Sequence, residues 1–433
     1  MDFKGFVSGG WRRRGVGKAV TLALLLLAVC QLVTAQQFST RPLNENIYSL
    51  MVYPDGAPLD APVVTLNGGV VVVKFDDMRY GSRNYSYKVV HCNADWTPSD
   101  IATSDYVRGF ENGTLDYGTV SQLTTATYTH YELRLPNSDV ELTLSGNYAV
   151  FIAEDYDFNN PVAVACFSVV EPLVRVNGEV SANTPLGISD RYQMVNFEID
   201  HPNYTVRDPM RELKVVVMQN RRTDNMVVNP KPTYTAFGKQ TYRDNRTLVF
   251  EGGNEYRTID FSSEYTYGAG IQRIEAIDNV MHVELMAAQP RAGIAVPTSG
   301  GDADGRMKVN RQRSDDPEIE ADYMWVHFFL QRDYLPGGTV HLLGDLCGNR
   351  LDPLSQMTYV HDSPMSSGYT LSMLLKQGGY SFQYAFLPKG GQTATLLPLE
   401  GSHWDTENEY IILVYHRGFG DRYDRLVGYQ TIH

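Results

Sequence analysis

Across 433 residues the chain carries 37 Lys and Arg against 50 Asp and Glu, a net charge of −13; so acidic a surface argues against nucleic acid or anionic lipid as the main partner. This length exceeds one ordinary domain, so two or three are expected. With 28 Tyr, 17 Phe, 37 Gly and 21 Pro, and no long apolar stretch at helical spacing, the composition is that of a β-protein.

The chain opens on Arg12, Arg13, Arg14 and Lys18, then an apolar run from Ala19 to Val33 and a small residue at Ala35. This reads as a secretory signal peptide over residues 1–35, cleaved after Ala35. The run is shorter than the about 20 residues of a membrane span, and no later segment comes close. Cys30 follows Val29 rather than a small residue, which argues against lipidation. Cleavage takes the basic and acidic counts from 37 and 50 to 32 and 49, a net charge of −17.

Short strand-like runs bounded by turn residues follow: "VVVVKF" (70–75), "YSYKVV" (85–90), "YTHYELRL" (128–135) and "NYAVFIA" (147–153). Their spacing of roughly ten residues predicts an all-β chain of tandem β-sandwiches, immunoglobulin-like or E-set-like. The pattern restarts at Pro172, after a very short linker, and again beyond the Gly- and Asp-rich stretch 297–322, where "YMWVHFFL" (323–330) begins. Three β-domains are expected: 37–172, 173–315 and 316–433.

The densest group of reactive residue types is "YKVVHCNADWTPSD" (87–100), with His91, Cys92, Asp95, Trp96 and Asp100. Strand alternation puts Tyr85, Tyr87, Val89 and His91 on one face and Ser86, Lys88, Val90 and Cys92 on the other. His91 and Cys92 therefore diverge, and further zinc ligands are missing nearby. "NADWTPSD" reads as a turn anchored by Trp96, with Ser99 and Asp100 placed to cap a short helix. Beyond the leader there are three cysteines, Cys92, Cys166 and Cys347. An odd number excludes a complete disulfide framework, leaving a Cys92–Cys166 bridge and buried free thiols as the two readings.

"GDADG" (301–305) is a fragment of a calcium loop without its distal acid, so a solvated turn is expected. Glu400, Asp405, Glu407 and Asp421 supply carboxylates for an imagined glycosidase pair, but sequence spacing does not set two of them across a cleft. Asp421–Arg422 and Asp424–Arg425 are instead expected to form ion pairs. No nucleophile elbow, zinc-helix motif or phosphate loop occurs, so catalytic, metal and cofactor residues are all assigned as none, and the protein as no enzyme. Residues 340–360 and 369–386 resemble glycogen-binding-like sandwiches, with a Gly-Asp turn and a Gly-Tyr hairpin. Leu346, Cys347, Gly348 and Asn349 stand where those modules place a sugar-stacking tryptophan. A periplasmic glycan-binding protein is the alternative this suggests.

Taken together, "FDDM" (75–78), "YKVVHCNADWTPS" (87–99), "YVRGFENG" (106–113), "LKVVVMQN" (213–220), "GGNEYR" (252–257), "LLKQGGYSFQY" (374–384), "EGSHWDTENEYIILVYHR" (400–417) and "DRYDRLVG" (421–428) resemble the plug proteins of the Bacteroidota type IX secretion system. The likeness spans nearly the whole chain beyond the leader. It implies a non-enzymatic periplasmic protein at the inner face of the outer membrane, partnered with the outer-membrane translocon barrel, whose periplasmic opening it seals. It implies no cofactor, nucleic acid, small-molecule substrate or membrane span. Which residues contact the barrel is not legible.

Overall fold

The computed structural model describes residues 37–185, 190–296, 302–361 and 367–433. The expected signal peptide and its cleavage site lie outside them. From Phe38 to His433 the chain is one compact unit, almost entirely β.

The first sandwich follows the expected alternation. One sheet runs in the order Arg41–Pro42, Ala163–Val170, Gly146–Glu154, Tyr85–Cys92, Asn112–Thr114; the facing sheet runs Ile47–Pro54, Val71–Asp77, Thr129–Leu135, Thr119–Val120. Val71, Val73 and Phe75 point inward with Tyr131, Leu133 and Tyr85. Phe75 stacks on Tyr131 at 5.2 Å, and Tyr85 meets both edge-on, an arrangement that suits the ring quadrupoles. Lys74, Asp76, His130 and Glu132 alternate with these residues and so face outward.

The second sandwich begins at Arg175–Ser181, three residues beyond Pro172. Its first sheet joins that strand to Tyr192–Asp200, Lys239–Tyr242 and Tyr234–Ala236, with Val249–Glu251 pairing on Tyr192–Asp200. Its second sheet is Val227–Val228, Leu213–Gln219, Tyr410–His416, Arg425–Ile432. The last two strands of the chain thus complete a sandwich begun at Arg175, and Tyr410, Ile412 and Val414 enter the same core as Val195, Phe197 and Val215.

The third sandwich is inserted between Val249–Glu251 and Tyr410–His416. It runs from Arg257–Asp260 to about Leu399, which joins its core. One sheet orders Ile271–Ile277, Val280–Leu285, Tyr323–Gln331, Ser367–Lys376, Thr358–His361; the other centres on Gly378–Pro388. The Gly- and Asp-rich stretch therefore lies within this sandwich, with residues 297–301 outside the described set. The break expected at 315/316 falls between the Met307–Val309 and Tyr323–Gln331 strands, both of which belong to it. Contiguity in sequence misleads here because a sheet edge is completed by whichever strand fits its register, in whatever chain order. The run read as a Gly-Tyr hairpin is a corner: Ser367–Lys376 and Gly378–Pro388 lie in different sheets and do not pair.

Candidate functional site

The "HCNADWTPSD" stretch closes the Tyr85–Cys92 strand and turns back through Trp96, which stands at φ 62°. His91 and Cys92 diverge as the alternation requires. The His91 ring lies among Tyr106, Tyr148 and Tyr423, with Nδ1 2.8 Å from Ser99 Oγ and Nε2 3.1 Å from the Ser145 carbonyl. Burial pushes its pKa down to about 4. The neutral ring thus donates from Nε2 to Ser145 and accepts from Ser99 at Nδ1. Ser99 is engaged by the histidine and by Asn93 Oδ1 at 3.2 Å and caps nothing; the short helix Thr103–Tyr106 takes Ala102 as its cap and Asp105 as its acid.

Cys92 packs on the opposite side with Ala149, Val164 and Cys166, under Trp96 and Phe38. Both thiols are free and buried, as is Cys347. Cys92 aligns with Asn147 and Cys166 with Ala149, on strands that flank Gly146–Glu154 on opposite sides. Two strand spacings, about 9–10 Å, separate them, beyond the reach of a disulfide. Burial raises the Cys92 and Cys347 thiols to about 12, and Cys166 likewise upward.

The loop after Cys92 does more than turn. It is the socket for the returning C-terminal segment 417–424. Asp424, fully buried, accepts from the Ala94 amide at 2.9 Å and pairs with Lys214 at 2.9 Å and Arg417 at 3.0 Å. Arg417 also donates to Asn93 Oδ1. The neighbour pairs expected at 421–425 do not form: Arg422 reaches Asp105 at 3.1 Å, and Asp421 accepts from the Gly418 amide. Beneath, Tyr415 donates to Asn147 at 2.9 Å. The linker itself is pinned, Glu171 and Leu173 donating to the Leu426 and Val427 carbonyls at 3.0 and 2.9 Å.

A second joint seats the third sandwich on the outer face of the first. Lys376, buried, donates to Asp76 Oδ2 at 2.5 Å and to the Glu318 carbonyl at 2.6 Å, over the ring of Tyr128 at 4.4 Å. Tyr323 donates to the same Asp76 oxygen at 2.7 Å, and His130 to Oδ1 at 2.7 Å. Burial pushes Asp76 up, but Lys376 and His130 prevail and hold it below its ordinary value. Asp322 accepts from the Thr125 amide and hydroxyl and the Ala126 amide at 2.6–3.0 Å. Each buried charge is met by an opposite charge or several donors, the condition under which it is tolerated.

The third joint is the crossing into and out of the inserted sandwich. Glu400 is fully buried and held by Arg257 and Arg291 at 2.9 and 2.8 Å, with the Tyr384 amide at 2.9 Å. Glu255 accepts from the Glu407 amide at 3.0 Å. The described part of "GDADG" folds inward against this crossing rather than forming a solvated turn: Asp302 accepts from the Tyr256 and Asp304 amides. Burial drives the Asp304 pKa up to about 7, helped by Asp302 and Glu409. It drives Glu255 to about 7 against the Glu407 bond, with Asp302 adding to the rise.

Of the imagined glycosidase acids, Glu400 is thus spent on two arginines, while Asp405, Glu407 and Asp421 are exposed. Among the described residues no group of three or more His, Cys, Asp or Glu is arranged to hold a metal. At the Gly-Asp turn of the third sandwich, Leu346, Cys347 and Asn349 are buried, and Asn349 closes the turn by accepting from the Gly344 amide at 2.9 Å. No sugar platform stands there. The joints escaped the sequence reading because their partners lie up to 330 residues apart; the clustered charge at 400–425 was the one signal of them.

The profile of the Type 9 secretion system plug protein 1st domain matches residues 47–171, which is the first sandwich from its Ile47 strand to the linker. The crystal structure of a hypothetical protein from Parabacteroides merdae ATCC 43184 is similar over 92% of this chain and 99% of that one, at 38% identity and a TM-score of 0.89. An alkylpurine DNA glycosylase, AlkC of Pseudomonas fluorescens, solved bound to DNA containing an abasic site analog, overlaps 29% of this chain and 30% of its own at 10% identity. Its TM-score of 0.17 carries no argument. No curated protein matches. With its first sandwich recognised as the plug domain, inside an architecture shared along almost its full length with a solved relative, the chain belongs to the type IX secretion system plug protein family.

Proposed function

We propose that this protein is a non-enzymatic plug of the periplasm, exported by a signal peptide cleaved after Ala35, that docks on the outer-membrane translocon barrel and closes its periplasmic opening. The observation that carries the reading is the bonding at the joints. A body that occludes an aperture must not deform, and here a buried ion pair ties the first sandwich to the third, while the Ala94–Asp424 bond and a hydrogen-bonded linker tie it to the second. Binding and release make a two-state cycle in which the channel is either covered or occupied by cargo.

The test is co-purification: gentle solubilisation of outer membranes should recover the barrel with the tagged protein, and addition of the protein should lower the conductance of reconstituted barrels. Failure of both under conditions that keep the barrel intact sinks the proposal. The glycan-binding alternative retains one observation, the partly exposed Trp325 on the solvent face of the Tyr323–Gln331 strand. On that face His327 is engaged by His282 and Ser372, each at 2.8 Å, and Phe329 is half-buried. A glycan array that binds the wild type and loses binding with Trp325→Ala would restore that reading.

A further inference from the structure

The two joints on the first sandwich leave one of its ends free. The Tyr85–Cys92, Gly146–Glu154 and Ala163–Val170 strands all have their opposite end at the second sandwich, where Ala94 meets Asp424 and Glu171 meets Leu426. The third sandwich sits on the outer face of the other sheet, at Asp76, Tyr128 and Thr125. At the remaining end three loops come together, 78–84, 115–118 and 155–161. Backbone and side-chain bonds tie them: Asp155 donates to the Asn84 carbonyl at 3.1 Å, Tyr156 to Ser86 Oγ at 2.8 Å, and Leu115 to the Tyr85 carbonyl at 2.9 Å.

Each loop presents one tyrosine to solvent: Tyr80 is 90% exposed, Tyr117 86% and Tyr156 53%. Apart from Met78, Leu115, Phe158 and Pro161, the rest of the loops is Arg, Gly, Ser, Asn and Asp, with Arg79 and Arg83 at their base. This is the composition of evolved recognition loops, in which Tyr gives large contact area at small entropic cost and Ser, Gly and Asn give adaptable hydrogen bonds. The loops are also preorganised. Arg79 is bonded to Asp77 at 2.9 Å and to Glu154 at 2.5 Å, while Asp155 and Tyr156 stand at φ 44° and 64°. Less ordering entropy is therefore lost on docking. Tyrosines also gather at lipid interfaces, but Asp116, Asp155 and Asp157 are exposed at this end and disfavour an anionic headgroup layer.

We infer that the Tyr80–Tyr117–Tyr156 end of the first sandwich is the surface that docks on a folded protein partner, and, resting on the function proposed above, that this partner is the translocon barrel. The experiment has two arms. Tyr80→Ser, Tyr117→Ser and Tyr156→Ser are combined in the full chain, and barrel recovery is compared with wild type. Separately, a photo-crosslinking phenylalanine analogue replaces Tyr80 or Tyr117, with exposed Phe237 of the second sandwich as the control position. Because the three side chains lie outside the core, the triple variant should keep the wild-type thermal midpoint. Its barrel recovery should fall roughly tenfold or more, as expected for aromatic anchors. Crosslinks to the barrel should come from positions 80 and 117 and not from 237. Undiminished recovery by the triple variant overturns the inference while leaving the plug reading intact. So do barrel crosslinks from 237 alone, or crosslinks from 80 and 117 solely to lipid or to a second copy of this chain. If wild type recovers no barrel and position 80 crosslinks a different, identified protein whose binding the triple variant loses, the docking surface stands and the plug reading fails.

Discussion

His91 is a neutral side chain with both nitrogens in use, and its chemistry follows from that. Its pKa falls from an ordinary 6.5 to about 4 because the buried ring cannot be solvated as a cation. Between these values the unfolded chain binds the proton and the folded chain does not. The stability His91 contributes is therefore complete above pH 6.5 and is lost as pH falls towards 4. At pH 5 the loss should be about 2 kcal/mol. His91→Ala should cost on the order of 2–3 kcal/mol at pH 7.5, through two lost hydrogen bonds and a cavity, and should flatten the decline of the thermal midpoint between pH 7 and 5. Metal content should stay at background in both proteins; a stoichiometric ion lost in the variant would contradict the structural role. The divergence of His91 from Cys92 was legible, since it needs only the two-residue period of a strand. The Asp424 carboxylate that organises the following turn was not, because nothing local in "NADW" announces a partner from the far end of the chain.

The elements that cross between the second and third sandwiches carry the reverse titration. Glu255 and Asp304 stand at about 7, raised from 4.5 and 3.8, so the folded chain holds protons there that the unfolded chain has released. Their contribution is most favourable at acid pH, falls as pH rises through this interval, and is gone above 7. Glu255→Gln should therefore raise the thermal midpoint at pH 8, where it removes a buried negative charge, and leave it nearly unchanged at pH 4.5. A loss at pH 8 would mean that the carboxylate is needed as an ion. The Asp76–Lys376 joint behaves otherwise: Asp76 is held below its ordinary value and stays ionised through this range. Strand positions were readable from turn residues and alternation, as at Val71–Asp77 and Gly146–Glu154. The corner at Gln377 was not, because a Gly-Gly-Tyr sequence is equally suited to a tight hairpin, and only the buried Gln377, accepting from the Asp322 amide at 3.0 Å, makes it a change of sheet.

At the scale of the molecule, insertion decides what can be cut. Ending the chain before Tyr410 removes two of four strands from one sheet of the second sandwich and exposes Val215 and Val217. Such a truncation should be insoluble or proteolysed within the second sandwich. Excising residues 257–399 and bridging the ends with a short flexible linker should leave a soluble protein whose amide-exchange protection at Leu213–Gln219 survives. Soluble truncation together with an unfolded excision product would reverse this picture. An all-β chain of sandwiches was legible from composition and from short strands between turn residues. Their nesting was not, since no residue marks a strand as belonging to a sheet opened two hundred positions before.

That nesting sets an order of completion as the chain emerges from its amino terminus. The first sandwich has all its strands by Val170, and the third by Pro388. The second remains half-built until both are finished, and the Leu213–Gln219 strand keeps an unpaired edge through all the intervening residues. An open apolar edge invites pairing with other chains. The last segment to appear both closes that edge and brings Asp424 to Ala94 and Lys214, so the joint between the first and second sandwiches arrives in one late step, with the final two strands.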